Sequence, residues 1–207
     1  MPSAIIHLMI ADILREKLSL NNVQQYYLGS IAPDAVNLDG FAPQNERYVA
    51  HLRSTDYEKW KQSAIELYNQ SFNNENQSDF LKGYAVHLLS DILWDETVQP
   101  HIFAVLKQHG FQSTDLKEQK WIEIYRYNST QRNAEWWVHR VKGELINADA
   151  TKQNCVDSEL LTEFRDYVTN NYQDKYIDEV PWFITDDIVA KTADNVAEYL
   201  KNNSHII

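Results

Sequence analysis

Cysteine is nearly absent. Cys155 stands alone in 207 residues, so no disulfide can form within the chain, and no partner motif surrounds it, so it reads as inert. Glycine and proline are scarce, five of each, which argues against a turn-dense β architecture and suits long helices. No stretch approaches the roughly 18 apolar residues of a membrane span. The N-terminus lacks a basic region, and His7 and Asp12 interrupt its apolar residues, so the expectation is a cytoplasmic protein without a signal peptide. Positive charge is short as well: 19 Lys and Arg against 30 Asp and Glu give a net charge of −11. That balance disfavours a broad nucleic-acid or anionic-lipid surface, although a local metal cluster can still bind one phosphate. What is present is a 43% hydrophobic share, enough for a sizeable core at this length. The expectation is one domain over residues 1–207.

Apolar spacing of three and four residues recurs along the chain and predicts an all-α, multi-helix bundle. Ser3 is placed to cap a first helix reaching about Leu18, with His7, Ala11, Leu14 and Leu18 on one stripe. A short helix follows from Val23 and ends before Pro33. Residues 35–53 contain Gly40 and Pro43 without clean periodicity and read as a loop. Thr55 and Glu58 form a capping-box pattern for a helix to about Gln70, with Tyr57, Trp60, Ala64, Leu67 and Tyr68 inward. A polar linker over 71–78 leads to an apolar helix ending near Thr97. Pro100 opens a further helix that Gly110 ends. Two helices broken near Asn128-Ser129 are expected over 115–148, another over 158–170, and an irregular or extended piece from Tyr176 to Phe183. Thr185 caps the last helix, whose stripe is Val189, Ala193, Val196 and Leu200.

His87 and Asp91 lie four residues apart in the most apolar of these helices, which puts an imidazole and a carboxylate on one face. A buried aspartate is costly unless its charge is compensated, and a divalent cation would compensate it and use the histidine too. His7, Asp34 and His51 lie upstream as further donors. Three imidazoles and two carboxylates suit zinc or another borderline divalent ion. Five donors exceed one tetrahedral site, so Asp91 or Asp34 could bridge two ions suited to phosphoester hydrolysis. Each residue also has a structural reading: a core histidine bonded to a carbonyl, a turn aspartate after Pro33, a plain His–Asp hydrogen bond. Spacing alone does not decide between them. The chain lacks His-Glu-x-x-His, an adjacent His-Asp pair, Glu-x-x-His and a Walker loop, which removes several other metal and nucleotide enzyme classes.

The series His7, Tyr27-Leu28-Gly29-Ser30-Ile31-Ala32-Pro33-Asp34, His51 and Gly83-Tyr84-Ala85-Val86-His87-Leu88-Leu89-Ser90-Asp91 resembles the zinc-dependent phospholipase C family. The resemblance covers about the first half of the chain, to Trp94, and rests on the order His, Pro-Asp, His, His-x-x-x-Asp. It implies the all-α fold shared by phospholipases C and related phosphodiesterase nucleases. It also implies zinc, and His7, Asp34, His51, His87 and Asp91 as metal ligands. Secreted members add a processed N-terminal residue and a later His-x-x-x-Glu. Here Met1-Pro2 precedes His7, and the substitutes for the later pair are Glu135 and His139, reversed in order, with His101 as a possible companion. The expectation is therefore one or two ions.

Two functions follow. The first is a metal-dependent hydrolase of a small phosphorylated substrate or a lipid headgroup. In it Asp34 also accepts a proton from water, Arg53 binds substrate phosphate, and Tyr84 lines the cleft. The second is a non-catalytic helical protein with a structural ion or a partner-binding role. Trp136 and Trp137 read as core or interface.

Overall fold

A computed structural model describes residues 1–152, 156–170 and 177–204. The fold is all-α, with no strand among the described residues. The helices are α1 (Ala4–Leu14), α2 (Val23–Gly29), α3 (Gln44–Ala50), α4 (Tyr57–Gln70), α5 (Ser78–Thr97), α6 (Gln99–Gln108), α7 (Leu116–Thr130), α8 (Lys142–Ile146), α9 (Ser158–Asn170) and α10 (Asp186–Asn203). A 3₁₀ turn covers Ala32–Asn37, and a π-helical turn, Trp136–Val141, runs into α8. No helix among the described residues is long and apolar enough to cross a membrane.

Helix α5 is the axis of the molecule. Every residue from Asp79 to Asp95 is buried, as expected of a helix surrounded on all faces. It packs most heavily against α2 and α4, and also against α1, α6 and α10. The α2 crossing is unusually close. A Cβ on Gly29 would collide with the carbonyl oxygen of Phe80, and one on Gly83 with that of Tyr26. Glycine at both positions lets the two backbones touch, which brings Ser30 and the 3₁₀ turn beside His87.

Several boundaries differ from the sequence expectation. Helix α1 stops at Leu14, not Leu18. The chain beyond it is tied to α5: Asp79 accepts the backbone N–H groups of Asn21 and Asn22, and Lys82 donates to the Ser19 carbonyl. Pro33 sits in the first turn of a 3₁₀ helix, where its missing N–H costs nothing. The expected loop at 35–53 contains α3, which buries none of its residues and so has no apolar stripe to betray it. Asp56, one residue after Thr55, caps α4 by accepting from the N–H groups of Glu58 and Lys59. Tyr57 is exposed there, while Trp60, Ala64 and Tyr68 are buried. The break expected near Asn128-Ser129 falls after Thr130. Ser3 and Thr185 cap α1 and α10, and the α10 stripe is buried throughout. Residues 177–183 are irregular. Tyr176 and Cys155 lie outside the described residues.

Candidate metal centre

His7 comes from α1, Asp34 from the 3₁₀ turn, His51 from the C-cap of α3, and His87 and Asp91 from α5. The structure brings all five side chains together. His7 Nε2 lies 3.4 Å from Asp91 Oδ1, and His51 Nε2 lies 3.4 Å from Asp34 Oδ1 and 3.6 Å from Asp91 Oδ2. His87 Nε2 is 3.7 Å from Asp91 Oδ2. The His7 and His87 rings stack with centroids 3.7 Å apart. Two donor groups, His7–Asp34–His87 and His51–His87–Asp91, each have their ligand atoms within 4.8 Å of one another.

The far side of two rings is fixed by the main chain. His87 Nδ1 is 2.8 Å from the Ser30 carbonyl and His51 Nδ1 is 2.9 Å from the Arg47 carbonyl. A carbonyl can only accept, so each Nδ1 carries a proton and each Nε2 faces the cluster, with a lone pair when the ring is neutral. The opposing atoms lack hydrogen bonds: His7 Nε2, His51 Nε2, His87 Nε2 and both oxygens of Asp91 are buried without a partner. Orphaned polar atoms are individually costly in an interior. Five of them converging, all of ligand type and with carbonyls behind two of the three rings, is the arrangement a metal ion resolves.

The charge environment agrees. Burial, followed by the neighbouring His7, pushes the His87 imidazolium down to about 3, and Asp91 and Asp34 only partly offset this. His87 is thus a neutral imidazole at ordinary pH, the form that can donate to a metal. Burial raises Asp91 and Asp34, but their imidazole neighbours outweigh it and hold both carboxyls below their ordinary range. Burial lowers His51, and the carboxylates of Asp34 and Asp91 outweigh that and leave it raised.

The loop carrying His51 is strained. Leu52 has φ of +45°, a left-handed conformation unfavourable for leucine. The N–H of Arg53 bonds the Tyr48 carbonyl and that of Leu52 bonds the Val49 carbonyl, a Schellman closure with Leu52 where glycine is usual. His51 is held further by Trp60, whose indole donates to the His51 carbonyl at 2.7 Å, and by Tyr84, whose hydroxyl donates to the Ala50 carbonyl. Tyr84 therefore supports the α3 terminus. Arg53 is paired with Asp95 at 3.3 Å and lies over the rings of Trp60 and Tyr48.

The suggested substitutes for a third site are not brought in. Glu135 and His139 are exposed around the π-helical turn, and no candidate donor group among the described residues includes either. That turn projects them outward while Trp137 and Val141 face the core. His101 is also exposed, stacked at 6.1 Å on Phe183. Sequence reasoning passed over two residues near the cluster. Asp95, four residues after Asp91, carried a spacing signal; Lys120 on α7 carried none.

A model of the zinc-dependent phospholipase C family matches residues 4–183. The chain belongs to the zinc-dependent phospholipase C family. Neither a curated protein nor a solved structure matches it. Family membership implies zinc as the metal and supports a metal-dependent phosphoester hydrolase, and the match extends well past Trp94, where the sequence resemblance ended.

Proposed function

We propose that this member of the zinc-dependent phospholipase C family hydrolyses a phosphoester, of a lipid headgroup or a small phosphorylated molecule, at a site of one or two zinc ions held by His7, Asp34, His51, His87 and Asp91. The observation that carries this is the convergence of buried ring nitrogens and carboxylate oxygens without hydrogen-bond partners. The chemistry that zinc supplies when bound is polarisation of a phosphoryl oxygen and acidification of water. The protein's own part is orientation. Ser30 and Arg47 lock two imidazoles with Nε2 inward, and Asp91, facing all three histidines, is the donor best placed to serve two ions. Asp34 is the least enclosed of the five, with 14% of its side chain exposed, and its Oδ1 accepts from Asn37. Its partial exposure supports a role both as a ligand and as the group that would accept a proton from water. The buried apolar cluster runs from Ala4 to Leu200, which supports one domain across the chain.

A second reading, a structural ion without catalysis, draws on the near-complete burial of His7, His51, His87 and Asp91. Elemental analysis of untagged protein, followed by a panel of chromogenic phosphomonoesters and phosphodiesters, separates the two. Zinc-dependent turnover that chelator removes is the expected result. Stoichiometric zinc with no turnover on any probe would establish the structural reading.

A further inference from the structure

The functional face of α5 continues past Asp91 to Asp95 one turn later. Where Asp91 meets imidazoles, Asp95 meets cations: the Met1 amine at 2.8 Å and Arg53 Nη2 at 3.3 Å. A further cation stands close by without an ion pair. Lys120, on α7, is 92% buried by its 8% exposure. Its ammonium donates to the neutral amide oxygen of Gln99 at 2.9 Å and sits 5.1 Å over the Trp121 ring. No carboxylate lies within ion-pairing distance of it among the described residues, and the charges of Asp95 and Asp91 reach it only from farther off. An ammonium has three N–H donors, so most of its capacity is unspent. A buried charge left like this is costly unless something compensates it. The wall holding Lys120 also meets the loop before α3, where Phe41 packs on Trp121 with centroids 5.5 Å apart. Gln99, to which Lys120 is bonded, follows directly on the end of α5 that carries Asp95 and its partner Arg53, and the charges of Asp95, Asp91 and Arg53 all act on Lys120.

We propose that Lys120 and Arg53 form an anion subsite beside the His/Asp cluster, which takes phosphate oxygens of the phosphoester. Asp95 is its resident counter-charge, keeping the Arg53 guanidinium in place until a phosphate arrives. A tetrahedral phosphate offers oxygens to a cation on each side and to a metal at once, which a planar carboxylate does not. Two cationic side chains favour the more highly charged phosphomonoester or product phosphate over a diester. The inference rests on the proposed function for its role in turnover, but not for the binding itself.

The test is calorimetric titration with inorganic phosphate and, separately, with glycerol 3-phosphate, on chelated and on zinc-loaded protein. Lys120→Met is expected to weaken binding at least tenfold in each form that binds, Lys120→Arg to restore most of it, and Lys117→Met, at an exposed neighbour, to leave it unchanged. Tighter binding of glycerol 3-phosphate than of phosphate marks an ester as the natural occupant; the reverse marks free phosphate. Equal binding by wild type and Lys120→Met, or no binding by wild type in either form, overturns the subsite. If Lys120→Met does not fold, the ¹⁵N shift of the Lys120 ammonium in wild type decides, and no response to phosphate overturns it. Zinc content and turnover are read independently, so loss of the hydrolase reading leaves the chelated measurement valid.

Discussion

Of the three buried aspartates on helix α5, the two most deeply buried are treated in opposite ways. Asp79, in its first turn, is fully satisfied: Oδ2 accepts from the Asn21 and Asn22 N–H groups at 2.7 and 2.5 Å, and Oδ1 from Lys82 at 2.9 Å. Asp91, three turns on, has histidines on every side and no hydrogen bond. The first is an architectural carboxylate whose partners are all built in. The second is left incomplete by the protein while three imidazoles are held facing it. Burial alone does not distinguish structure from function; the identity of what answers the charge does.

The strongest test sets the two against each other. Asp79→Asn leaves Lys82 buried without its ion pair and should cost about 3–5 kcal/mol in chemical denaturation, with or without chelator. Asp91→Asn should lose zinc and turnover together. It should lower stability only relative to the zinc-loaded wild type, by about 4 kcal/mol when free zinc exceeds its Kd a thousandfold. Chelator sensitivity that is the same for both variants would erase the distinction.

Acid sharpens it next. His87 has a folded pKa of about 3 against about 6.5 unfolded, so its contribution is present above pH 6.5 and lost as pH falls toward 3. His51, raised by its carboxylates, works the other way: its contribution is present below about 6.5 and fades as pH climbs through its raised value. Chelated protein should therefore lose stability as pH falls from 6.5 toward 3, by at most about 1.4 kcal/mol per unit for His87 alone. Urea midpoints across that range check it, and His87→Gln should flatten the curve.

Two smaller effects probe the shell that holds the donors. Tyr84→Phe frees the Ala50 carbonyl beside His51 and should weaken zinc binding by about 10–100-fold for about 1 kcal/mol of stability. Competition with a chromogenic chelator measures the first and thermal melting the second; unchanged affinity would make Tyr84 ordinary core. Leu52→Gly relieves the left-handed residue and should stabilise the protein by about 1 kcal/mol. A drop in melting temperature would show instead that the leucine side chain contributes there.

The parts legible in the sequence share a cause. The α5 pair was readable because a helix repeats every 3.6 residues and both partners lie on one element. An apolar stripe turned His7 inward, but a Pro-Asp turn alone reads as structural, and it was the order shared with the family that joined His7 and Asp34 to the pair. Helix α3 was not, because Gln44–Ala50 buries nothing and leaves no period. Tyr84 looked like a cleft residue because spacing places it one turn from His87, yet spacing cannot say that its hydroxyl reaches across to Ala50. Glu135 and His139 could be read as third-site substitutes or as a surface polar pair, because an i, i+4 pair shares a face without revealing which way it points; they are exposed, as the surface reading has it. Lys120 depends on how α7 docks against α6, whose first residue Gln99 it bonds, and no local pattern encodes that.

The bare crossing of Gly29 and Gly83 sets a limit on repair. A side chain at either position strikes the carbonyl of Phe80 or Tyr26. Those obstacles are main chain, so no trimming of a neighbouring residue can make room. A substitution there forces α2 away from α5 and carries the Ser30 carbonyl off His87. Second-site suppressors, available in principle for a crowded side-chain core, have nothing to act on here. A search for revertants of Gly83→Ala should therefore return glycine.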